Sequence, residues 1–560
     1  MNNKITEITK PIQDRLACLL FIFFVPMTAH LLFSWIGFNL TDNGYVLAYS
    51  RRILEGEIPH RDFMLSCPPG SAFLHIPVVL FGGDYTFWLS RLFVWFQFGC
   101  IAWSWTVIIE RLLKIYLNTF EKICFSIIAF AFSAHNFPIM AWSTIDGLFF
   151  TSIGLSLSIK ESQRSKLFGY LFMGMAYLCR QSFLPMVFVS IVALGDWPKT
   201  RFWLAAVLPG IAYIFYIAVT KTLSDVMLQL SYHADLMYSG LIIYIVNKTM
   251  PLGALWGYLA ASLTSARLKS RVLAKIEAPR ILLGILMFYV LPFYSAIILT
   301  QGKRIITSAF VLFGAAAAAA VYFVMNVKDR TAYMKAGILV LLAAWCTSLS
   351  KAYHFPVLAA GPLAVLLIGY SRILSNRVDK NGWVSRAHLF LLYILVIITL
   401  FGFGIARFKH SYFIYLGHGE GVSEMNQPLD GIFPGASMIK TNLNTYRVLY
   451  DLRTAASKAG GQNYAIIPDI CAYWVKSPQR NPLPVDWVGT YGEHKPSSDR
   501  IIKALQACRG SLVVLVEKVK VNNLSDGFMP IPYNEQCEPV KYVLSNFNKI
   551  DETEFFELYK

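Results

Sequence analysis

Runs of about twenty apolar residues recur from residue 16 to residue 406, separated by short gaps in which Lys and Arg collect. No other feature restricts the fold as much. A chain that spans the hydrocarbon of a bilayer must satisfy every backbone N–H and C=O internally, so spans of this kind become helices packed on helices. The bulk composition agrees: of 560 residues, 56% are hydrophobic and 15% charged, with a mean hydropathy of +0.50. A net charge of +17 could signal nucleic acid. The basic residues instead sit in the gaps between spans, where membrane orientation requires them, so a nucleic-acid role is disfavoured.

Read in order, the pattern gives about thirteen transmembrane helices. The first, 16–38, is too long for a signal-peptide core and follows Lys4, Lys10 and Arg15, which places the N-terminus in the cytoplasm. The next spans are 87–109, one from 123 to about 134, and one ending at Lys160. Residues 167–195 are too long for one span and carry Arg180 in the middle, which reads as two short spans with a tight outer turn at Arg180. Then come 202–219, 241–262 (with Lys248 near its outer end or snorkelling), 281–300, 305–327, 336–350, 355–370 and 387–406. The odd count sends the C-terminus outside. The expected fold is therefore a polytopic α-helical membrane domain over 1–407 with a first outer loop at 39–84, and a soluble outer domain over 408–560. In that domain an amphipathic helix at 444–459, a strand at 464–468, a helix at 498–508 and a strand at 512–516 predict a small α/β unit with a partly parallel sheet.

The 39–84 loop is far more polar than its flanks. It reads Asp42-x-Gly44-Tyr45, then Arg51-Arg52, Gly56-x-x-Pro59, His60-Arg61-Asp62-Phe63 and Cys67-Pro68-Pro69. Thr41-Asp42 can cap a helix over 43–55 that Gly56 closes. The run 70–81 is apolar but short, suited to an interfacial position. In this order, and directly after the first span, these pieces resemble the first outer loop of GT-C glycosyltransferases, in the branch of protein-mannosyltransferase-like and aminoarabinose-transferase-like enzymes. The resemblance covers roughly the first 240 residues; the remainder matches in architecture alone. It implies a polyprenyl-phosphate sugar as donor and a lipid, glycan or protein as acceptor. It also implies an integral protein of the bacterial inner membrane with its chemistry on the periplasmic face.

Glycosyl transfer to a hydroxyl needs a base, and a single inverting displacement needs one carboxylate. Asp42 is the expected base, with Asp62 the second catalytic candidate. A bland reading accompanies each: Asp42 as a helix cap, Asp62 as a loop contact to Arg61. Arg180 is expected to hold the donor phosphate, with Arg51 and Lys351 as further candidates; its bland reading is a salt bridge to Asp146. His135, Asp146, His233, Asp235 and His354 fall at expected outer ends, where they could meet the acceptor or a divalent metal. Their spacing matches no metal motif, so metal and other cofactors stay open. The nine cysteines include no C-x-x-C pair. Cys471, Cys508 and Cys537 allow one bridge in the outer domain, with Cys508–Cys537 the favoured pair. Rival readings are a transporter or flippase of an envelope precursor, marked by broken helices in two matching halves, and a non-enzymatic scaffold.

Overall fold

The computed structural model describes residues 2–134, 139–231, 235–265, 277–299, 305–327, 330–349, 354–378, 383–409, 422–492, 495–521, 528–530 and 537–560. It is mostly helical. Seven helices are long and apolar enough to cross a membrane, lying in 12–33, 83–112, 200–220, 279–299, 307–326, 356–373 and 383–409. Each of the other expected spans also coincides with helix, in shorter pieces.

The helices run α1 (Asn2–Phe33), α2 (Tyr45–Leu54), α3 (Gly70–Phe81), α4 (Thr86–Leu112), α5 (Thr119–Ala134), α6 (Ser143–Ser158), α7 (Gln163–Cys179), α8 (Leu184–Ala193), α9 (Thr200–Thr220) and α10 (Leu223–Ser231). They continue with α11 (Asp235–Val246), α12 (Met250–Ser265), α13 (Glu277–Leu299), α14 (Ile305–Asn326), α15 (Arg330–Thr347), α16 (Ala360–Val378) and α17 (Trp383–Lys409). The first span ends at Phe33, short of the expected residue 38, because Arg91 of α4 draws the next carbonyls away from the helix. Its guanidinium donates to Ser34 O, Ile36 O and Gly37 O at 2.7, 3.1 and 2.6 Å. The expected span 241–262 is corrected to two helices. Asn247 Oδ1 accepts from the N–H groups of Thr249 and Met250, which caps α12 and interrupts the span at Lys248. Gly253 and Gly257 then let α12 lie directly on α14. A Cβ at either would fall 2.1–2.2 Å from the carbonyl oxygen of Val311 or Ala315.

Residues 427–560 build a C-terminal α/β unit: α18 (Leu443–Lys458), β3 (Asn463–Ile467), α19 (Val488–Tyr491), α20 (Lys495–Ala507), β4 (Leu512–Glu517), α21 (Glu538–Asn546), β7 (Lys549–Glu552) and β8 (Phe556–Tyr559). The four-stranded sheet has the order β3-β4-β8-β7. β3 and β4 are parallel, joined through α20, and β8 adds antiparallel to β4. Asn442 caps α18 through Thr445 N–H at 2.7 Å. Two short pairs, β1 (Gln427–Pro428) with β2 (Lys440–Thr441) and β5 (Val519–Val521) with β6 (Phe528–Pro530), complete it.

The 39–84 loop and this unit share their cores. Val46, Leu47 and Ala48 of α2 are buried in one apolar cluster with Leu449, Ile466 and Val513, and Met64 joins a second with Ile467 and Leu483. The composition break near residue 408 is therefore not where the packing divides.

Candidate functional site

Adjacent arginines on α2 fasten the loop to the C-terminal unit. Arg52, 5% exposed, makes a two-pronged contact with Asp486, 4% exposed: Nε to Oδ2 at 2.8 Å and Nη2 to Oδ1 at 2.9 Å. Its other bonds go to Glu57 and Leu483 O, each at 2.7 Å. Arg51 donates to Trp474 O, Ser477 Oγ and Gln479 O, and pairs with Glu55 at 2.9 Å. Arg51, a sequence candidate for donor phosphate, is thus a docking residue. Main-chain bonds extend the seam, from Ala472 N to Leu40 O and from Met64 N to Pro484 O, both 2.8 Å. Gly44 is required here: a Cβ would stand 2.1 Å from Ala472 Cα.

Asp42 lies in this seam, half-buried. It does not cap α2, whose N-cap is Gly44 with no side-chain bond. Asn39 shapes the turn instead, its Oδ1 accepting from the N–H groups of Thr41 and Asp42 at 2.8 Å, while its Nδ2 lies 3.4 Å from Asp42 Oδ2. Opposite stand Cys471, whose Sγ approaches Thr41 O at 3.4 Å, and Asp469, held by Trp487 Nε1 at 2.9 Å. Burial pushes the Cys471 thiol well up, and the nearby charges of Asp486, Asp42 and Asp469 add to the effect, so it is no nucleophile at neutral pH. Trp487 meets Tyr45 edge to face at 5.7 Å between ring centroids. The seam therefore offers two carboxylates and an aromatic wall, one half from each part of the chain.

Tyr45 leads from Asp42 toward the helix ends. Its hydroxyl bonds Ser66 Oγ at 3.0 Å, and both Tyr45 and Cys67 lie in electrostatic range of Arg180. Arg180 follows α7 in extended backbone, before the turn that opens α8. Its Nε and Nη2 donate to Leu349 O at 3.1 and 2.7 Å, and Nη1 donates to Ser143 Oγ at 3.2 Å. Those contacts use three of five N–H donors. No carboxylate pairs with Arg180 among the described residues, and the expected alternative, a bridge to Asp146, is not formed.

The other candidates fall elsewhere. Asp62 is bound by Arg61 at 2.9 and 3.1 Å and accepts Ile58 N–H at 2.7 Å. The Arg61 bonds hold its carboxyl below the usual range, more than offsetting the effect of burial. It closes the Ile58–Phe63 turn. Asp146 is not at the outer surface: it sits in the first turn of α6, fully buried, bonded to His75 and Gln97. His354 precedes the short turn Pro356–Ala359 that opens α16. Asp235 begins α11, and nothing is described of its side chain. His135, His233 and Lys351 lie outside the described residues. No group of three His, Cys, Asp or Glu that could hold a metal occurs among the described residues. The favoured Cys508–Cys537 bridge is not formed, and all nine cysteines are free thiols.

Asp469 and Trp487 were missed from sequence. Asp469 stands just beyond the C-terminal end of a parallel strand, a common place for ligand contacts in open α/β sheets, and that signal could have found it. Trp487 lies in a proline-rich loop with no period to mark it. No protein-family model matches the chain, and no curated protein matches it.

Proposed function

We propose that this protein is an integral membrane glycosyltransferase that moves a sugar from a polyprenyl-phosphate donor to an acceptor hydroxyl on the outer face of the membrane. The observation that carries the reading is Arg180. It is a partly buried cation at the meeting of α6, α7, α8 and α15, bonded to a carbonyl and a hydroxyl, with donors remaining for an anion. Tyr45, in electrostatic range of Arg180, lies three residues after the half-buried Asp42. A polyprenyl phosphate reaching this point from the bilayer gives Arg180 the charged partner it otherwise lacks among the described residues.

In the proposed step Asp42 takes the proton of the acceptor hydroxyl while its oxygen bonds the anomeric carbon from the face opposite the phosphate. The carbon–oxygen bond to phosphate breaks, the electron pair leaves with the polyprenyl phosphate, and Arg180 offsets the charge that develops there. One displacement inverts the anomeric centre. The proposal places the N-terminus in the cytoplasm, the seam and the C-terminal unit outside, and the protein in a bacterial inner membrane, following the charge bias of the gaps.

Asp42→Asn tests it. Because Gly44 and not Asp42 caps α2, neither Asn nor Ala at this position removes a helix cap. Release of polyprenyl phosphate from a synthetic donor should fall by at least ~10²-fold in a protein of unchanged thermal stability, the lower end of general-base effects. Full turnover in a folded Asp42→Asn protein removes Asp42 from the mechanism and moves attention to Asp469. A second reading, a flippase of an envelope precursor, has in its favour the helix interruptions at Arg180 and Asn247–Thr249. Release of polyprenyl phosphate separates the two, since a flippase leaves its cargo intact.

A further inference from the structure

α3 and α6 bring His75 and Asp146 together with no exposed surface on either. His75 Nε2 lies 3.2 Å from Asp146 Oδ1, and Gln97 of α4, equally buried, donates its Nε2 to the same oxygen at 2.7 Å. An ionised carboxylate only accepts, so the His75 nitrogen in this contact carries a proton. Three atoms of the trio then have no hydrogen-bond partner among the described residues: Asp146 Oδ2, His75 Nδ1 and Gln97 Oε1. Each belongs to the same small planar group as an atom of the shared contact.

The charge balance is as one-sided as the hydrogen bonding. No Lys or Arg pairs with Asp146 among the described residues. Two neutral donors on one oxygen leave a full negative charge away from water, which is costly. With a neutral imidazole, all three unpartnered atoms are lone-pair acceptors, so whatever completes the trio must bring protons or positive charge. The titratable groups in electrostatic range of Asp146 are Cys67 from the 39–84 loop and Cys179 at the end of α7, with Arg180 beyond Cys67. None supplies a cation in contact.

We propose that His75, Gln97 and Asp146 form a site for one small monovalent cation, a hydrogen ion or a sodium ion, enclosed among α3, α4 and α6. A hydrogen ion gives an imidazolium–carboxylate pair in which His75 Nδ1 becomes a donor. A sodium ion draws on the oxygens Asp146 Oδ2 and Gln97 Oε1, ligands of the kind hard cations take. Either form removes a buried negative charge next to Cys67, and Cys67 neighbours Arg180, so occupancy changes the electrostatic field where an anion would bind. The site does not depend on glycosyl transfer being the reaction.

The test uses the full-length protein in lipid nanodiscs. Thermal unfolding is followed in a sodium series balanced with choline at fixed pH, and in a pH series without sodium, for the wild type and Asp146→Asn. The expected result is a wild-type Tm that rises by a constant increment per tenfold increase in sodium once the site is mostly filled, or, in the sodium-free series, that rises as pH falls from the folded pKa of the site to the unfolded one and levels below it, with that rise missing from Asp146→Asn. The comparison with the variant cancels other titrating groups. Should Asp146→Asn not fold, two measurements that do not need it decide. One equivalent of sodium bound in equilibrium dialysis supports the proposal. So does an imidazolium infrared signal present in the wild type and absent from His75→Gln. A wild-type Tm indifferent to sodium, with the same pH dependence as Asp146→Asn, overturns it and leaves a cage for neutral water. Absence of both bound sodium and the imidazolium signal overturns it equally.

Discussion

Asp486→Ala should loosen the C-terminal unit from the 39–84 loop without unfolding either. The substitution removes both carboxylate oxygens that Arg52 contacts, at 2.8 and 2.9 Å, in a place where both side chains are 5% exposed or less. Breaking a buried ion pair from one side costs roughly 3–5 kcal/mol, because the surviving charge is left without its partner. Arg52 keeps Glu57 and Leu483 O, each at 2.7 Å, so the loss belongs at the lower end, about 3 kcal/mol. That is roughly a 10²-fold shift in the equilibrium between docked and open forms. Amide exchange at Met64, whose N–H donates to Pro484 O across the seam, reports on it directly. Exchange there should quicken by about that factor, while exchange at the centre of β4 changes little. The double variant Arg52→Met with Asp486→Leu should recover most of the protection, since an apolar pair avoids the stranded charge. Unchanged exchange at Met64 in a folded Asp486→Ala protein would show that the two arginines do not hold the seam and that the apolar core alone does.

Acid should weaken the same region through His60. Burial, opposed by a bond to Gln229, holds its pKa down to about 4, and the neutral ring is used on both sides, by Gln229 at 2.8 Å and Tyr213 at 2.9 Å. The unfolded chain takes up this proton near its ordinary value and the folded one does not. Stability is therefore unaffected at higher pH and is lost progressively as pH falls from the ordinary histidine range to about 4. The full loss is on the order of 3 kcal/mol, and His60→Asn should flatten that part of a Tm–pH profile. Gly44→Ala should undock the loop by overpacking against Ala472, at a cost of about 1–3 kcal/mol read as faster exchange at Ala472 N–H. Gel mobility of the full chain should be the same with and without reductant, and Cys471 should resist thiol labels until the protein unfolds. A phosphatase fused after Lys560 should be active on the outer side; a cytoplasmic readout would separate the C-terminal unit from the proposed outer face.

The seven helices long and apolar enough to cross a membrane were legible because apolar length is a property of each segment by itself. The turn at Arg180, the interfacial length of α3 and the parallel β3–β4 pair likewise follow from local pattern. What could not be read was everything that depends on residues far apart in sequence. Arg51 carries the charge a phosphate calls for, yet its partners, the carbonyls of Trp474 and Gln479, make it structural, whereas the contact of Asp62 with adjacent Arg61 is the local one its sequence already offered. Thr41-Asp42 has the composition of a cap, but Asn39 turns the chain two residues earlier and leaves Gly44 at the helix start. Asp146 has the position of an outer-turn residue, and only the packing of α3 and α4 shows it enclosed. The break at Lys248 was visible as an awkward charge, and its cause, the Asn247 cap, lay one residue away.

The bond between Arg52 and Asp486 joins positions 434 apart in the chain. Ribosomes add about 5–20 residues per second, so roughly 20–90 s pass between synthesis of the loop and synthesis of the surface that covers it. Throughout that interval α2 has emerged with Val46, Leu47 and two arginines uncovered, while helix after helix is inserted beside it. Biogenesis thus contains a waiting period that the finished molecule conceals. A chain halted before residue 463 should expose this loop to proteases and to chaperones that recognise apolar sequence, and release of the halt should bury it within one synthesis of the last hundred residues.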